Sequence, residues 1–234
     1  MSLSLSIVVP TLNEADHMEP LLTGLAALRE AGAEIILADG GSDDGTADLA
    51  DNSIRVLHAP RGRARQMNTG AATAQGDWLL FLHADTRLPS AVEEMLRKAM
   101  ADGGPDWGFF PVRLTGKAPL LRWIEKGINW RSRWSRIATG DQAVFIRKSR
   151  FEALGGFADI PLMEDIEFCK RLKQNGAQPL IFGQPVTTSS RRWEERGILL
   201  TIVSMWALRA AYACGAPPRW LVKFYYPAPA ERAS

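Results

Sequence analysis

The chain has 234 residues, 46% of them hydrophobic and 23% charged, which excludes a disordered or fibrous protein. The length suits one large α/β domain with or without a helical appendage. The net charge of +2 is unevenly spread: residues 116–136 contribute +5 and residues 191–223 contribute +4, leaving −7 for the rest, so the second half is expected to meet an anionic partner, a phosphate or a membrane surface.

Residues 5–9 are an apolar run stopped by Pro10 and read as a buried parallel strand. The start MSLSLSIVVP lacks a basic region and a small-residue cleavage site, so it is not read as a signal peptide. Within 15–31, Met18, Leu21, Leu22, Leu25 and Leu28 recur at helical spacing. Residues 35–38 form a second strand that runs into a glycine-broken acidic turn, 39–46. A short helix over 46–52, a strand over 55–58 and a loop entering a helix over 61–73 follow. Residues 78–82 are a fourth strand, closed by His83-Ala84-Asp85, and 92–100 look helical. This alternation predicts an open, mostly parallel sheet covered on both faces.

The second half is less regular. A strand is expected over 108–114 and a basic, Trp-rich helix or mobile loop over 120–134. Residues 143–146 read as a strand, followed by a helix from Lys148 and the turn Gly155-Gly156. Residues 166–174 read as a helix with Gly176 as its C-cap, 179–182 as a strand, and 198–214 as an apolar helix. The tail from Pro227 is expected to be loose. Cys169 and Cys214 offer neither a disulfide framework nor a zinc spacing, which makes a reducing cytoplasm the default compartment.

In open α/β sheets, ligands sit outside the carboxyl ends of the strands. Polar residues gather at three such ends: Thr11, Asn13 and Glu14 after the first strand, Asp39 after the second, and His83 and Asp85 after the fourth. No G-x-G-x-x-G follows the first strand, which argues against a dinucleotide enzyme. Asp39 is placed to accept from a base N–H or a ribose hydroxyl, while Asp43 and Asp44 suit helix capping. Asp85 suits a magnesium held jointly with substrate phosphates, or the cap of the helix after Pro89. His83 suits packing or, as a ligand, a preference for manganese. Glu164, Asp165 and Glu167 open a helix, where acids are favoured by the dipole, and one of them is placed to act as a general base. Positions 164 and 167 share a face and position 165 stands apart, which favours Asp165 as the base.

The ordered blocks IVVPTLNEA, LADGGSDDGT, GDWLLFLHADT, GDQAVFIRKSRFEALGGF and MEDIEFCKRL resemble glycosyltransferase family 2 over residues 5–195. The similarity is strongest to a small bacterial branch associated with radical-SAM and selenium-linked genes. The resemblance implies a single GT-A-type, Rossmann-like domain over 1–195, with a nucleotide-sugar and metal half at 1–115 and an acceptor half at 116–195. Residues 196–234 would be a C-terminal helical appendage and tail. It implies Asp39 as reader of the nucleobase, usually uracil, with Pro10, Thr11 and Glu14 in the first nucleotide loop and Arg61 and Arg65 facing the diphosphate. Asp85 matches the last acid of the D-x-D metal motif, for Mn2+ or Mg2+, and His83 replaces the first. Asp165 matches the base of a Glu-Asp pair with Glu164, and Gly140, Asp141 and Gln142 match the floor beneath sugar and acceptor. Ser189-Ser190-Arg191-Arg192-Trp193 resembles the Q-x-x-R-W motif of processive synthases with serine in place of glutamine. Arg192 and Trp193 are therefore expected at the acceptor, in single transfers.

The segment 198–214 is interrupted by Arg209 and is short for a spanning helix, which needs about 20 apolar residues. It is expected to lie at an interface or pack on the core. Trp123, Trp130 and Trp134, with interleaved arginines, suit a bilayer surface, or a lid over the acceptor site. The expected activity is metal-dependent, inverting transfer of a hexosyl group from a UDP-sugar to an acceptor that is lipid-linked. No nucleic-acid partner is expected, and the location is cytoplasmic, peripheral on the inner face of the membrane. A sugar-nucleotide nucleotidyltransferase and a non-catalytic, membrane-docked nucleotide-sugar-binding protein remain open as alternatives.

Overall fold

The computed structural model describes residues 3–101, 104–195 and 197–225. The first half runs β1 (Leu5–Thr11), α1 (Ala15–Glu30), β2 (Glu34–Asp39), β3 (Arg55–His58), α2 (Arg63–Thr73), β4 (Trp78–Phe81), β5 (Thr86–Arg87) and α3 (Val92–Met100). The second runs β6 (Trp107–Phe109), β7 (Val112–Leu114), α4 (Pro119–Ser135), β8 (Val144–Arg147), α5 (Lys148–Ala153), α6 (Glu164–Gln174), β9 (Leu180–Ile181), β10 (Val186–Thr188), α7 (Arg191–Glu195), α8 (Ile198–Ala213) and α9 (Pro218–Tyr225). The main sheet has the order β3-β2-β1-β4-β8-β6-β9, and β5-β10-β7 form a small second sheet. Strands β1 to β4 are parallel, β8 is antiparallel to both its neighbours, and β9 is parallel to β6. The expected α/β fold with a mostly parallel sheet is therefore what forms, with a GT-A-like layout and a C-terminal helical region. Helix α2 returns the chain across β2 and β1 to β4, so strand order reverses between β1 and β4. A crevice opens outside their carboxyl ends for that reason.

Side-chain alternation fills both faces. Ile7, Val9, Ile35 and Leu80 join Leu25 and Leu96 on one face, while Val8, Ile36, Leu79 and Phe81 join Met67 and Phe168 on the other. Strands apolar on both sides are what a sheet covered by helices requires. Helix α2 lies very close to β1: a Cβ on Gly70 would fall 2.4 Å from Cγ1 of buried Val8. The buried Gln66 amide donates to Thr11 O (2.7 Å) and Ala38 O (2.8 Å), fixing α2 to the carboxyl ends of β1 and β2.

Several elements depart from the sequence expectation. The single strand over 108–114 is two strands in different sheets. Pro111 has no N–H to continue a ladder, and Phe110 N–H donates instead to Gln142 O at 2.8 Å. The segment 120–134 is helix rather than mobile loop. On α4, the Asn129 amide both donates to Val112 O (2.9 Å) and accepts from Val112 N–H (2.8 Å), and Glu125 accepts from Leu114 N–H (2.5 Å). One helical step of four residues spans about 6 Å and two strand residues about 6.7 Å, so side chains at i and i+4 satisfy the edge of β7. Helix α6 begins at Glu164, two residues before the expected start, behind a left-handed Met163 (φ 68°). Leu208 of α8 and Leu221 of α9 pack against Leu162, Met163 and Ile166. The expected loose tail from Pro227 lies outside the described residues.

Replacing Gly70 by alanine should destabilise the fold by about 1–3 kcal/mol in urea unfolding, because the methyl must displace Val8. Gly24→Ala in α1, whose Cβ would meet nothing within 4 Å, should be neutral or gain up to about 1 kcal/mol. Equal effects at the two sites would contradict the close contact of α2 with β1.

Candidate active site

A cleft of about 970 Å³ lies outside the carboxyl ends of β1 and β4. Its polar side is walled by Pro10, Thr11, Glu14, Arg61, His83 and Asp85. Its apolar lining comes from Leu120, Ile124 and Ile128 of α4 and Ile202 and Met205 of α8. Gly140, Asp141, Glu164, Asp165, Arg191 and Trp193 line the same cleft.

The polar wall is set by two interlocked loops. Asp39, 2% exposed, lies outside the cleft wall and binds its own turn. Its carboxylate accepts from Gly41 N–H and Ser42 N–H (both 3.0 Å), Ser42 Oγ (2.5 Å) and Thr11 Oγ1 (3.3 Å). Burial pushes this carboxyl up, but the four donors outweigh it and hold the group below its usual range. Three successive N–H groups entering α1 are then capped from the same turn: Asn13 by Ser42 Oγ (3.0 Å), Glu14 by Thr46 Oγ1 (2.9 Å) and Ala15 by Asp44 (3.0 Å). Asp44 thus caps the helix before the turn as well as the 3₁₀ turn after it, through Thr46 N–H (3.0 Å).

The centre of the cleft is a carboxylate pair at the head of α6. Glu164 is buried and pairs with Arg63 of α2 at 3.4 Å, joining two halves of the chain. Asp165 accepts from Gly140 N–H at 2.7 Å. Burial, then the adjacent Glu164 charge, push the Asp165 carboxyl up to about 7, against the pull of Arg63 and the Gly140 and Ile166 N–H groups. Glu167 is spent on Arg171 (2.6 Å), which in turn donates to Gly156 O (2.7 Å). Gly140 is required where it stands: a Cβ there would lie 2.7 Å from Cε1 and 2.8 Å from Nε2 of the His83 ring.

Asp85 and Glu14 wall the same side of the cleft. Burial and then the Asp85 charge raise the Glu14 pKa, so the two carboxylates face a common space. Among the described residues no group of three or more His, Cys, Asp or Glu is arranged to hold a metal. Two facing carboxylates fit a divalent ion that takes its remaining oxygens from a bound diphosphate. Asp85 caps nothing after Pro89, since α3 begins behind Ala91 without a side-chain cap.

Besides Asp39, two expected site residues fall elsewhere among the described residues. Arg65 donates to Asp159 at 2.7 Å and lies outside the cleft wall, because on α2 it points away from Arg63. Gln142 is fully buried; it accepts from Ser132 Oγ (2.7 Å) and Thr139 N–H (3.0 Å) and donates to Phe110 O (3.2 Å), so it holds the turn rather than the floor. The Arg192 side chain lies outside the described residues. Conversely, Arg131 of α4 lines the cleft and was not singled out from the sequence. Its Nε and the Oδ1 of Asp141 are buried without a hydrogen-bond partner within the protein. Burial pulls the Arg131 pKa down, countered by Asp141 and Asp165. Its signal was present only as one cation among six in 116–136.

A mostly parallel sheet with a crevice at its point of reversal, walled by carboxylates and arginines, defines a GT-A-like fold. The model of "Glycosyl transferase family 2" matches residues 6–154, and the chain belongs to that family. The succinoglycan biosynthesis protein ExoA of Rhizobium meliloti is 30% identical over 196 residues, 75% of this chain and 59% of that protein. The chain spans 37% to 67% of the length of curated relatives it matches. Among solved structures, S. aureus TarS 1–349 in complex with UDP-GlcNAc aligns with TM-score 0.64 at 16% identity, over 81% of this chain and 58% of that one. The mannosyltransferase PcManGT of Pyrobaculum calidifontis, in complex with GDP-Man and Mn2+, aligns with TM-score 0.61 at 22% identity, over 90% and 61%. Both likenesses are of fold.

The raised Asp165 pKa has a stability consequence. The native state keeps a proton that the unfolded chain releases near pH 4, so stability should fall as pH rises from about 4 to about 7 and then level. Asp165→Asn should therefore melt higher than the parent at pH 8, with the gain vanishing towards pH 4 in calorimetric scans. A difference independent of pH would contradict a buried, proton-holding carboxyl.

Proposed function

We propose that this chain transfers a sugar from a nucleoside-diphosphate donor to an acceptor hydroxyl, with Asp165 as the base. One observation carries the reading: a carboxyl group raised to about 7 lines a single cleft that has both polar and apolar lining. In this reading the polar half takes the donor. Pro10, Thr11 and Glu14 line the nucleotide and Arg61 faces the diphosphate, while Asp39 holds the turn against which the base rests. The complexes of TarS with UDP-GlcNAc and of PcManGT with GDP-Man support a sugar nucleotide, and we assign a UDP-sugar. The apolar half takes an acceptor joined to a lipid. The narrower likeness to the radical-SAM and selenium-associated branch rests on the sequence blocks alone.

The acceptor oxygen attacks the anomeric carbon as its proton passes to the Asp165 carboxylate. The bond from that carbon to the diphosphate breaks, its electron pair leaving with the diphosphate oxygen. Attack from the face opposite the leaving group inverts the configuration. A hydroxyl is a poor nucleophile near neutral pH, and a base with a pKa near 7 is well matched to it. Arg131 and Asp141, with a donor and an acceptor unused by the protein, orient polar groups of the two substrates over Asp165. Mn2+ or Mg2+ on Asp85, with Glu14 and His83 beside it, would neutralise charge on the departing diphosphate.

Product analysis with UDP-sugars separates the readings. Free UDP with a glycosylated acceptor is expected; pyrophosphate made from UTP and a sugar phosphate would reassign the chain as a nucleotidyltransferase, and neither product would leave a binding protein. Asp165→Asn should lower transfer by about a hundredfold or more while UDP-sugar affinity survives. In the same assay, EDTA should stop turnover and Mn2+ or Mg2+ restore it, whereas full turnover after chelation would remove the metal.

A further inference from the structure

Helices α4, α8 and α9 leave their largest apolar side chains in solvent. Along α4 the outward stripe runs Leu120, Trp123, Lys126 and Trp130, spaced by three and four residues, and ends on Arg133 and Trp134, three and four residues beyond Trp130. Trp130 and Trp134 stack at 6.3 Å, and Lys126 Nζ lies 5.1 Å from the Trp123 ring. Glu125, the only acid on α4, is turned inward to Leu114 N–H, so the stripe carries cations alone. Helix α9 repeats the arrangement: exposed Arg219 and Lys223 run beside exposed Trp220 and Phe224. Helix α8 exposes Leu199, Leu200, Val203 and Trp206 without a charge among them. The six aromatic side chains of these faces are between 59% and 78% exposed. Trp123 and Trp206 also line the cleft, so the faces of α4 and α8 border its mouth.

We propose that α4, α8 and α9 seat this protein on an anionic bilayer, with the mouth of the cleft at headgroup level. Exposed apolar patches of this extent mark an interaction surface. Indole rings interleaved with Lys and Arg are the composition of a helix lying in the membrane interface, where the rings enter the headgroup layer and the cations reach lipid phosphates. Charge points the same way: the segments carrying α4 and α7–α9 hold +9, and the rest of the chain −7. Such a dipole turns this face towards an anionic surface. A second copy seated face to face would oppose cation to cation and stop the mouth of the cleft. Helix α8 has 16 residues, and among the described residues no helix is long and apolar enough to cross a membrane, so the contact is a lying one. This surface goes beyond the transfer reaction, and its test reads binding rather than turnover.

The experiment is flotation with phosphatidylcholine vesicles, with and without phosphatidylglycerol, at low and high salt. The parent protein should float with the anionic vesicles and less so as salt rises. Trp130→Ser/Trp134→Ser/Phe224→Ser should reduce partitioning by about tenfold or more, and Lys126→Glu/Lys223→Glu should remove the salt-sensitive part. Both variants should keep the parent's melting temperature, since these side chains stand in solvent. The proposal is overturned if the parent fails to float with the anionic vesicles at low salt, including the case where light scattering finds a dimer that the triple variant makes monomeric. It is equally overturned if the triple variant floats like the parent.

Discussion

The hydrogen bond from Gly140 N–H to Asp165, 2.7 Å long, ties together parts of the chain that are remote in sequence. For Asp165 to reach that N–H, α6 must start at Glu164, behind a left-handed Met163. For Gly140 to present it, the turn must be held from behind, which the buried Gln142 amide does. The turn must also lie flat under His83, where a Cβ would collide. The neighbouring Glu164 closes the arrangement by pairing with Arg63, at the head of the helix that crosses β1 and β2. Burial is the constraint that makes this carboxyl costly to ionise, and it is the same burial that brings its pKa to the range a general base uses.

The two sides of the cleft follow from how the chain finishes its elements. The donor side is made of strand ends, where backbone polar groups and short loops collect, and the turn after β2 locks the loop after β1 by capping α1. The acceptor side is made of helices that use one face on the protein: α4 bonds to the edge of β7, and α8 and α9 rest on the start of α6. Their free faces are apolar and basic, and they stand at the mouth of the half proposed to receive a lipid-linked hydroxyl.

Much of the fold was legible in the sequence because strands β1, β2 and β4 are buried on both faces and so read as largely apolar runs. The helix boundaries at 92–100 and the strand at 55–58 also agree with the structure, although β3 is exposed at both ends. The two-residue β5 and three-residue β10 were not legible, since segments that short have no period. The break at Phe110-Pro111 is signalled in the sequence by the proline alone. In the site, Asp165 and Asp85 could be named from position, but direction could not. Arg65 and Arg63 lie two residues apart on one helix, and only the fold shows that Arg63 turns to the cleft while Arg65 turns to Asp159. Arg131 was hidden among the cations of its segment, because its burial depends on α4 lying against the Gly140 turn.

The pH dependence of transfer tests the role of Asp165 most directly. With saturating metal and donor, kcat/KM for the acceptor should rise about tenfold per pH unit below 7 and level above it, as the carboxyl of the free enzyme loses its proton. In Asp165→Asn that limb should be absent from the residual rate. A profile flat from pH 5 to pH 8 in the parent, or an unchanged limb in the variant, would contradict Asp165 as the base.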